Sequence, residues 1–202
     1  MNLAIWIPIL LFAVTIHEVA HGFVAFKLGD STAKNAGRLT LNPINHIDPF
    51  GTILMPLLLY FSTGGSIVFG YAKPVPVNFY NLNNPKRDMI WVGAAGPLSN
   101  IFLSMILAFL LKSFLGAHFL LAEIFRTGIV INLLLASFNI LPIPPLDGSR
   151  VVSGLLPQKQ AAAYAKLEPY GFLILIVLFY FNLINLFVMP IFYFLCKMLG
   201  LR

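Results

Sequence analysis

Residues 3–28, LAIWIPILLFAVTIHEVAHGFVAFKL, decide how the chain is read. The run is apolar almost throughout, and as a helix it is roughly 39 Å long, enough to cross a hydrocarbon core of about 30 Å. Within it stands His17-Glu18-Val19-Ala20-His21. Histidines four apart lie on one helical face, one turn apart, so both rings can reach one metal ion. The glutamate after the first histidine is placed to act as a base on water. Ionisable groups at membrane depth are costly and are read as functional.

Composition places the rest of the chain in the membrane as well. Of 202 residues, 59% are hydrophobic and 10% charged, and the mean hydropathy is +0.88. A soluble domain is nearer half apolar and a quarter charged. No polar stretch is long enough to fold alone, so residues 1–202 are expected to form a single membrane-embedded domain. The net charge of +6 is spread over loops between apolar runs. That pattern orients a chain in a bilayer and argues against a nucleic-acid partner. Cys196 has no partner for an internal disulfide and reads as a small packing residue. The first segment does not read as a signal peptide, because it lacks a basic start and carries His-Glu-His where an apolar core belongs.

The fold class expected is an α-helical polytopic membrane protein. It has about four to five membrane-embedded helices, a re-entrant segment and a small β element on the cytoplasmic side. The first segment has no charge before Glu18 and leads into Lys27, Lys34 and Arg38. The positive-inside rule therefore puts the N-terminus outside and the histidines toward the cytoplasm. Gly37 to Pro43 alternates polar and apolar residues and stops at Asn-Pro, which predicts a short strand and turn. Val68 to Val77 predicts a second strand, demoted to an edge by Pro74 and Pro76. Such an edge can pair with an extended substrate or simply tie down a loop. Pro49 to Ser62 is short for a crossing and predicts the re-entrant segment. Met89 to Leu111 and Phe119 to Leu141 predict two further spans. The run from Tyr170 to Leu201 predicts one more span and a short second helix.

A third metal ligand is expected at Asp147, in Asn139-Ile-Leu-Pro-Ile-Pro-Pro-Leu-Asp147-Gly148. Pro142, Pro144 and Pro145 must end the preceding helix, and Gly148 permits a turn after the aspartate. Two imidazoles and a carboxylate suit one Zn2+ per chain, with one position kept for water. Asp147 must then share a side of the membrane with His17 and His21, which places Lys86 and Arg87 inside too. Asn139 is either a donor toward a zinc-bound carbonyl or an interhelical hydrogen-bonding group. Asn132, on the same face, is read as structural. Gly93, Gly96, Pro97 and Asn100 are read as packing groups, Asn100 with a role left open. His46 and Asp48 either support a ligand histidine, hold a gating loop or cap a turn. His118 falls at the opposite end of the membrane and outside the site.

These residues resemble the site-2 protease family of intramembrane zinc metalloproteases. The resemblance covers nearly the whole chain. It rests on His17-Glu18-x-x-His21 in a membrane segment, on Ala95-Gly96-Pro97-Leu98-Ser99-Asn100, and on Asn139 through Asp147-Gly148. Arg38-Leu-Thr-Leu-Asn42-Pro43 with His46-Ile-Asp48-Pro49 resembles the compact branch of that family, without PDZ or CBS domains. The resemblance implies zinc on His17, His21 and Asp147, with Glu18 as catalytic base and Asn139 assisting. It implies cleavage of transmembrane segments of other proteins, in regulated intramembrane proteolysis or in clearance of membrane stubs. The expected localisation is an integral, multi-pass cell-membrane protein with its active site toward the cytoplasm. Its expected partners are transmembrane protein substrates and the lipid bilayer. A zinc transporter or a non-catalytic scaffold are the alternatives, and the glutamate beside His17 argues for hydrolysis, since neither needs a base.

Overall fold

The structure, a computed structural model, describes residues 3–62, 64–65, 70–114 and 119–201. Its elements follow from where the apolar runs are broken. Helix α1 is Leu3–Lys27, ending where Gly29 takes a positive φ of 111°. Short helix α2 (Thr32–Asn35) follows, then a 3-10 turn at Pro43–His46. A π-helical turn at Pro49–Leu54 runs into α3 (Met55–Ser62). Helix α4 (Pro85–Ser113) begins with proline at its first position, where the missing N–H costs nothing. Its Asp88 carboxylate accepts the Asn84 N–H at 2.7 Å. Helix α5 (Phe119–Asn139) stops just before the proline-rich stretch. Four helices close the described chain: α6 (Asp147–Leu155), α7 (Gln158–Ala165), α8 (Gly171–Tyr180) and α9 (Leu183–Met198). Asn182, at φ 56°, makes the turn between the last two.

Four segments are long and apolar enough to cross a membrane: Ala4–Lys27, Pro85–Ser113, Phe119–Asn139 and Gln158–Tyr180. Helix α4 is the spine, packing against α1, α5 and α6, while α9 packs on α5. In lipid there is no hydrophobic drive between helices, so close packing and interhelical hydrogen bonds hold them together. Ala108, Ile129, Leu133, Ala136 and Leu195 form one such dry contact among α4, α5 and α9.

Two sequence expectations need correction. Among the described residues there is no strand, so the expected β element is absent; Val68 and Phe69 lie outside them. The physical reason is visible in residues 71–75. The N–H groups of Tyr71, Lys73 and Val75 face the protein, as in an edge strand, but bond to three different places. Their acceptors are Gly51 O, His46 O and Glu18 Oε2, at 3.0, 2.9 and 2.8 Å. Pro74 and Pro76 supply no N–H, so no ladder forms. The other correction concerns Pro49–Ser62, which is a short apolar helix below crossing length. It packs mainly within itself, and nothing in its contacts supports a re-entrant course.

Candidate metal centre

The two histidines of α1, one turn apart, need a partner from elsewhere in the chain, and packing on α4 brings it. A Cβ on Gly93 would come within 2.9 Å of Arg150 Cβ and 3.1 Å of Asp147 O, so this glycine lets α6 lie directly on α4. A Cβ on Gly96 would fall 2.5 Å from His17 Nε2 and closer still to His21 Nε2. Two glycines on one helix thus admit both α1, with its histidines, and α6, with Asp147. Asp147 is the first residue of α6. Gly148 serves close approach rather than a special turn, since a Cβ there would overlap the Ile140 and Leu141 carbonyls.

The resulting geometry is tight. His17 Nε2 lies 2.9 Å from Asp147 Oδ2, His21 Nε2 lies 3.2 Å from it, and the two Nε2 atoms are 3.1 Å apart. His17 and His21 are buried and Asp147 half-buried. The outer nitrogens decide what these atoms are. His21 Nδ1 is 2.6 Å from the Val92 carbonyl oxygen, which can only accept, so Nδ1 carries the proton. His17 Nδ1 is 2.6 Å from Asn100 Oδ1 and donates likewise. In the neutral rings both Nε2 atoms are therefore bare lone pairs. They face a carboxylate oxygen, Asp147 Oδ2, that is buried without a hydrogen-bond donor. Three acceptors this close repel one another unless a proton or a metal cation lies among them. The set fits Zn2+, which takes imidazole nitrogen and carboxylate oxygen.

A cavity of about 550 Å3 opens beside this cluster. Glu18 lines it, half-buried, with Oε2 accepting the Val75 N–H and its other oxygen free of that bond. Asn139 lines it too, with Nδ2 donating one hydrogen to Leu135 O at 3.0 Å. Arg150, one turn after Asp147, reaches the same cavity, pairs with Glu168 and lies over the Phe79 ring at 5.4 Å.

The remaining candidates sit elsewhere. Asp48 caps the π-helical turn, its Oδ1 accepting the Gly51 N–H at 2.6 Å. His46 is buried, with Nε2 on Thr40 O at 2.9 Å and its own carbonyl on Lys73 N, so it pins the 71–75 segment. Neither is hydrogen-bonded to His17 or His21. His118 lies outside the described residues. Sequence reasoning passed over Gly96, Val75 and Arg150 as parts of the site. The one available signal was spacing: Gly96 and Asn100 are a turn apart on one face of α4.

Comparisons with known proteins bear on this arrangement. Residues 116–182 match Peptidase family M50. A Bacillus subtilis protein with the provisional name zinc metalloprotease YwhC is 43% identical over 178 residues, covering 84% of this chain and 77% of that protein. The Mycolicibacterium smegmatis protein provisionally named zinc metalloprotease Rip2 is 31% identical over 173 residues, 83% of this chain and 63% of its own length. Zinc metalloprotease MJ0392 of Methanocaldococcus jannaschii is 26% identical over 152 residues, 75% of this chain and 34% of its own. No solved structure matches the chain at a significant level. With 43% identity across most of one such relative and four apolar helices of membrane length, the chain belongs to peptidase family M50, the site-2 proteases, and is an intramembrane zinc metalloprotease.

Proposed function

We propose that His17, His21 and Asp147 hold the zinc, that Glu18 is the catalytic base, and that Asn139 assists at the scissile carbonyl. The observation that carries this reading is the trio of bare acceptor atoms, 2.9–3.2 Å apart, with Glu18 in the adjoining cavity. Bound zinc supplies Lewis acidity toward a substrate carbonyl and lowers the pKa of water toward neutrality. Glu18 takes the proton of the attacking water on its free oxygen while the Val75 N–H holds the other. It then passes that proton to the leaving amine. Asn139 has a second amide hydrogen beyond the one given to Leu135, and that hydrogen is available to the carbonyl oxygen of the scissile peptide.

The substrates proposed are transmembrane segments of other proteins, unwound locally because a helix hides its peptide groups in i to i−4 bonds. Tyr71, Ala72, Pro74 and Val75 line the cavity opposite an apolar wall at Phe138, Phe172 and Leu175. The site faces the cytoplasm, since Lys27, Lys34, Arg38, Lys86 and Arg87 lie in segments adjoining its end of α1 and α4. Metal analysis tests the ligand set: His17→Ala, His21→Ala and Asp147→Ala each lose zinc on purification, and a variant that keeps one zinc per chain removes that residue from the set. Comparing membrane proteomes of cells carrying the parent or Glu18→Gln tests the substrate class, with uncut membrane stubs accumulating in the variant.

A further inference from the structure

A chain of buried side-chain amides runs from the candidate metal centre across α4 into α5. His17 Nδ1 meets Asn100 Oδ1 at 2.6 Å. Asn100 Nδ2 meets Asn132 Oδ1 at 2.8 Å and Ala13 O at 3.3 Å. Asn132 Nδ2 meets Gly128 O at 2.8 Å. Asn100 and Asn132 are almost fully buried, at 0% and 1% exposure, so their groups have no water to turn to.

The direction of this chain is set from its far end. The Gly128 carbonyl can only accept, so Asn132 must turn its NH2 toward it and its oxygen toward Asn100. Asn132 Oδ1 and Ala13 O, two acceptors, then require the NH2 of Asn100. That leaves Asn100 Oδ1 for His17 and requires the proton on His17 Nδ1. Only then is Nε2 bare on the side of His21 and Asp147. If Asn100 turned over, its NH2 would face His17 Nδ1 and drive the proton to Nε2, the atom that would hold the metal.

We propose that Asn132, through Asn100, is a positioning residue that fixes the tautomer of His17 and thereby the zinc affinity of the site. Neither asparagine is among the proposed ligands. From the sequence Asn132 reads as structural and Asn100's role is left open; the structure gives their amides a polarity that packing alone does not require. The inference rests on His17 being a zinc ligand, as proposed above. Loss of an outer partner of a ligand histidine typically weakens metal binding about 10–100-fold.

The test measures two quantities in purified full-length protein: zinc affinity by chelator competition, and the tautomer of His17 in the metal-free protein by 15N NMR of labelled histidine. Asn132→Leu is expected to weaken zinc binding about 10–100-fold and to shift His17 toward the Nε2–H form. The double variant Asn100→Asp with Asn132→Leu is expected to recover affinity, because an aspartate has only oxygens to offer His17 and needs no director. Parent affinity and parent tautomer in Asn132→Leu overturn the proposal. So does a double variant as weak as Asn132→Leu, which would make the loss one of packing. Should Asn132→Leu fail to fold, Asn100→Asp against Asn100→Leu decides the point: the first keeps the Nδ1–H form and zinc, the second loses both, and equal losses overturn the proposal. His17→Ala with undiminished zinc would instead remove the ligand set on which the inference stands.

Discussion

Gly96 has nowhere to put a methyl group, because that volume belongs to the imidazoles of His17 and His21. Alanine in the middle of an exposed helix stabilises by roughly 0.5–1 kcal/mol over glycine. Gly96→Ala therefore separates helix from site: zinc content of the purified protein falls toward zero while the helical circular dichroism of the metal-free protein is unchanged. Val75 offers a second residue-scale test. Its N–H holds one oxygen of Glu18 at 2.8 Å, and an ångström of misplacement in a catalytic group can cost about 100-fold. Val75→Pro removes that donor without touching a proposed ligand. Peptide hydrolysis should drop by at least about tenfold, on the scale of one hydrogen bond to a charged group, with zinc content at the parent level. At this scale the sequence was legible where chemistry is local. His17, Glu18 and His21 are set by helical spacing alone. Gly96 and Asn100 were not, because a glycine or an amide in an apolar helix reads the same whether it faces a neighbouring helix or a ligand ring. Their partners lie some eighty residues away.

The segment from Gly70 to Asn83 is an element held by side chains rather than by a sheet. Asp30, buried at the end of α1, is its main anchor. One carboxylate oxygen accepts from the Thr32 N–H, the Thr32 hydroxyl and the Asn81 amide, and the other from the Asn78 N–H at 2.7 Å. Burial pushes this carboxyl up, but those donors outweigh burial and hold it below the usual carboxylate range. A depressed value means the stabilisation is complete above the unfolded pKa of about 3.9 and is lost as pH falls through the folded value. Amide exchange across residues 75–83 should therefore quicken below about pH 4 relative to the transmembrane helices. Asp30→Ala should show the fast exchange at neutral pH, at a cost of about 2–3 kcal/mol in local stability. The sequence read residues 68–77 as a strand, demoted to an edge by its prolines. What it could not weigh is that three separate acceptors, Gly51, His46 and Glu18, take the N–H groups a partner strand would need.

At the scale of the whole molecule, the proposed ligands come from α1 and α6, and α4 lies between them as the packing partner of both. Of the four segments of membrane length, Gln158–Tyr180 starts well before the run from Tyr170 that the sequence suggested; the other three were legible, each a long apolar run bounded by charge or proline. Their arrangement was not, since packing in lipid depends on where glycines and amides meet rather than on hydrophobicity. A metal on the proposed ligands would clip together two elements distant in sequence. Zinc at about 1,000 times its dissociation constant contributes about 4.1 kcal/mol to folded-state stability. A strong chelator should lower the thermal midpoint of the detergent-solubilised protein, and Glu18→Gln, which leaves the proposed ligands intact, should respond in the same way. Asp147→Ala should not respond.

That pairing leads to the most direct test of the mechanism. Purified parent and Glu18→Gln, shown to carry equal zinc, are compared for hydrolysis of a transmembrane peptide substrate. Loss of a general base costs about 100- to 10,000-fold, so the variant should cleave at no more than about one hundredth of the parent rate with its zinc in place. Cleavage by the variant at the parent rate would contradict the account.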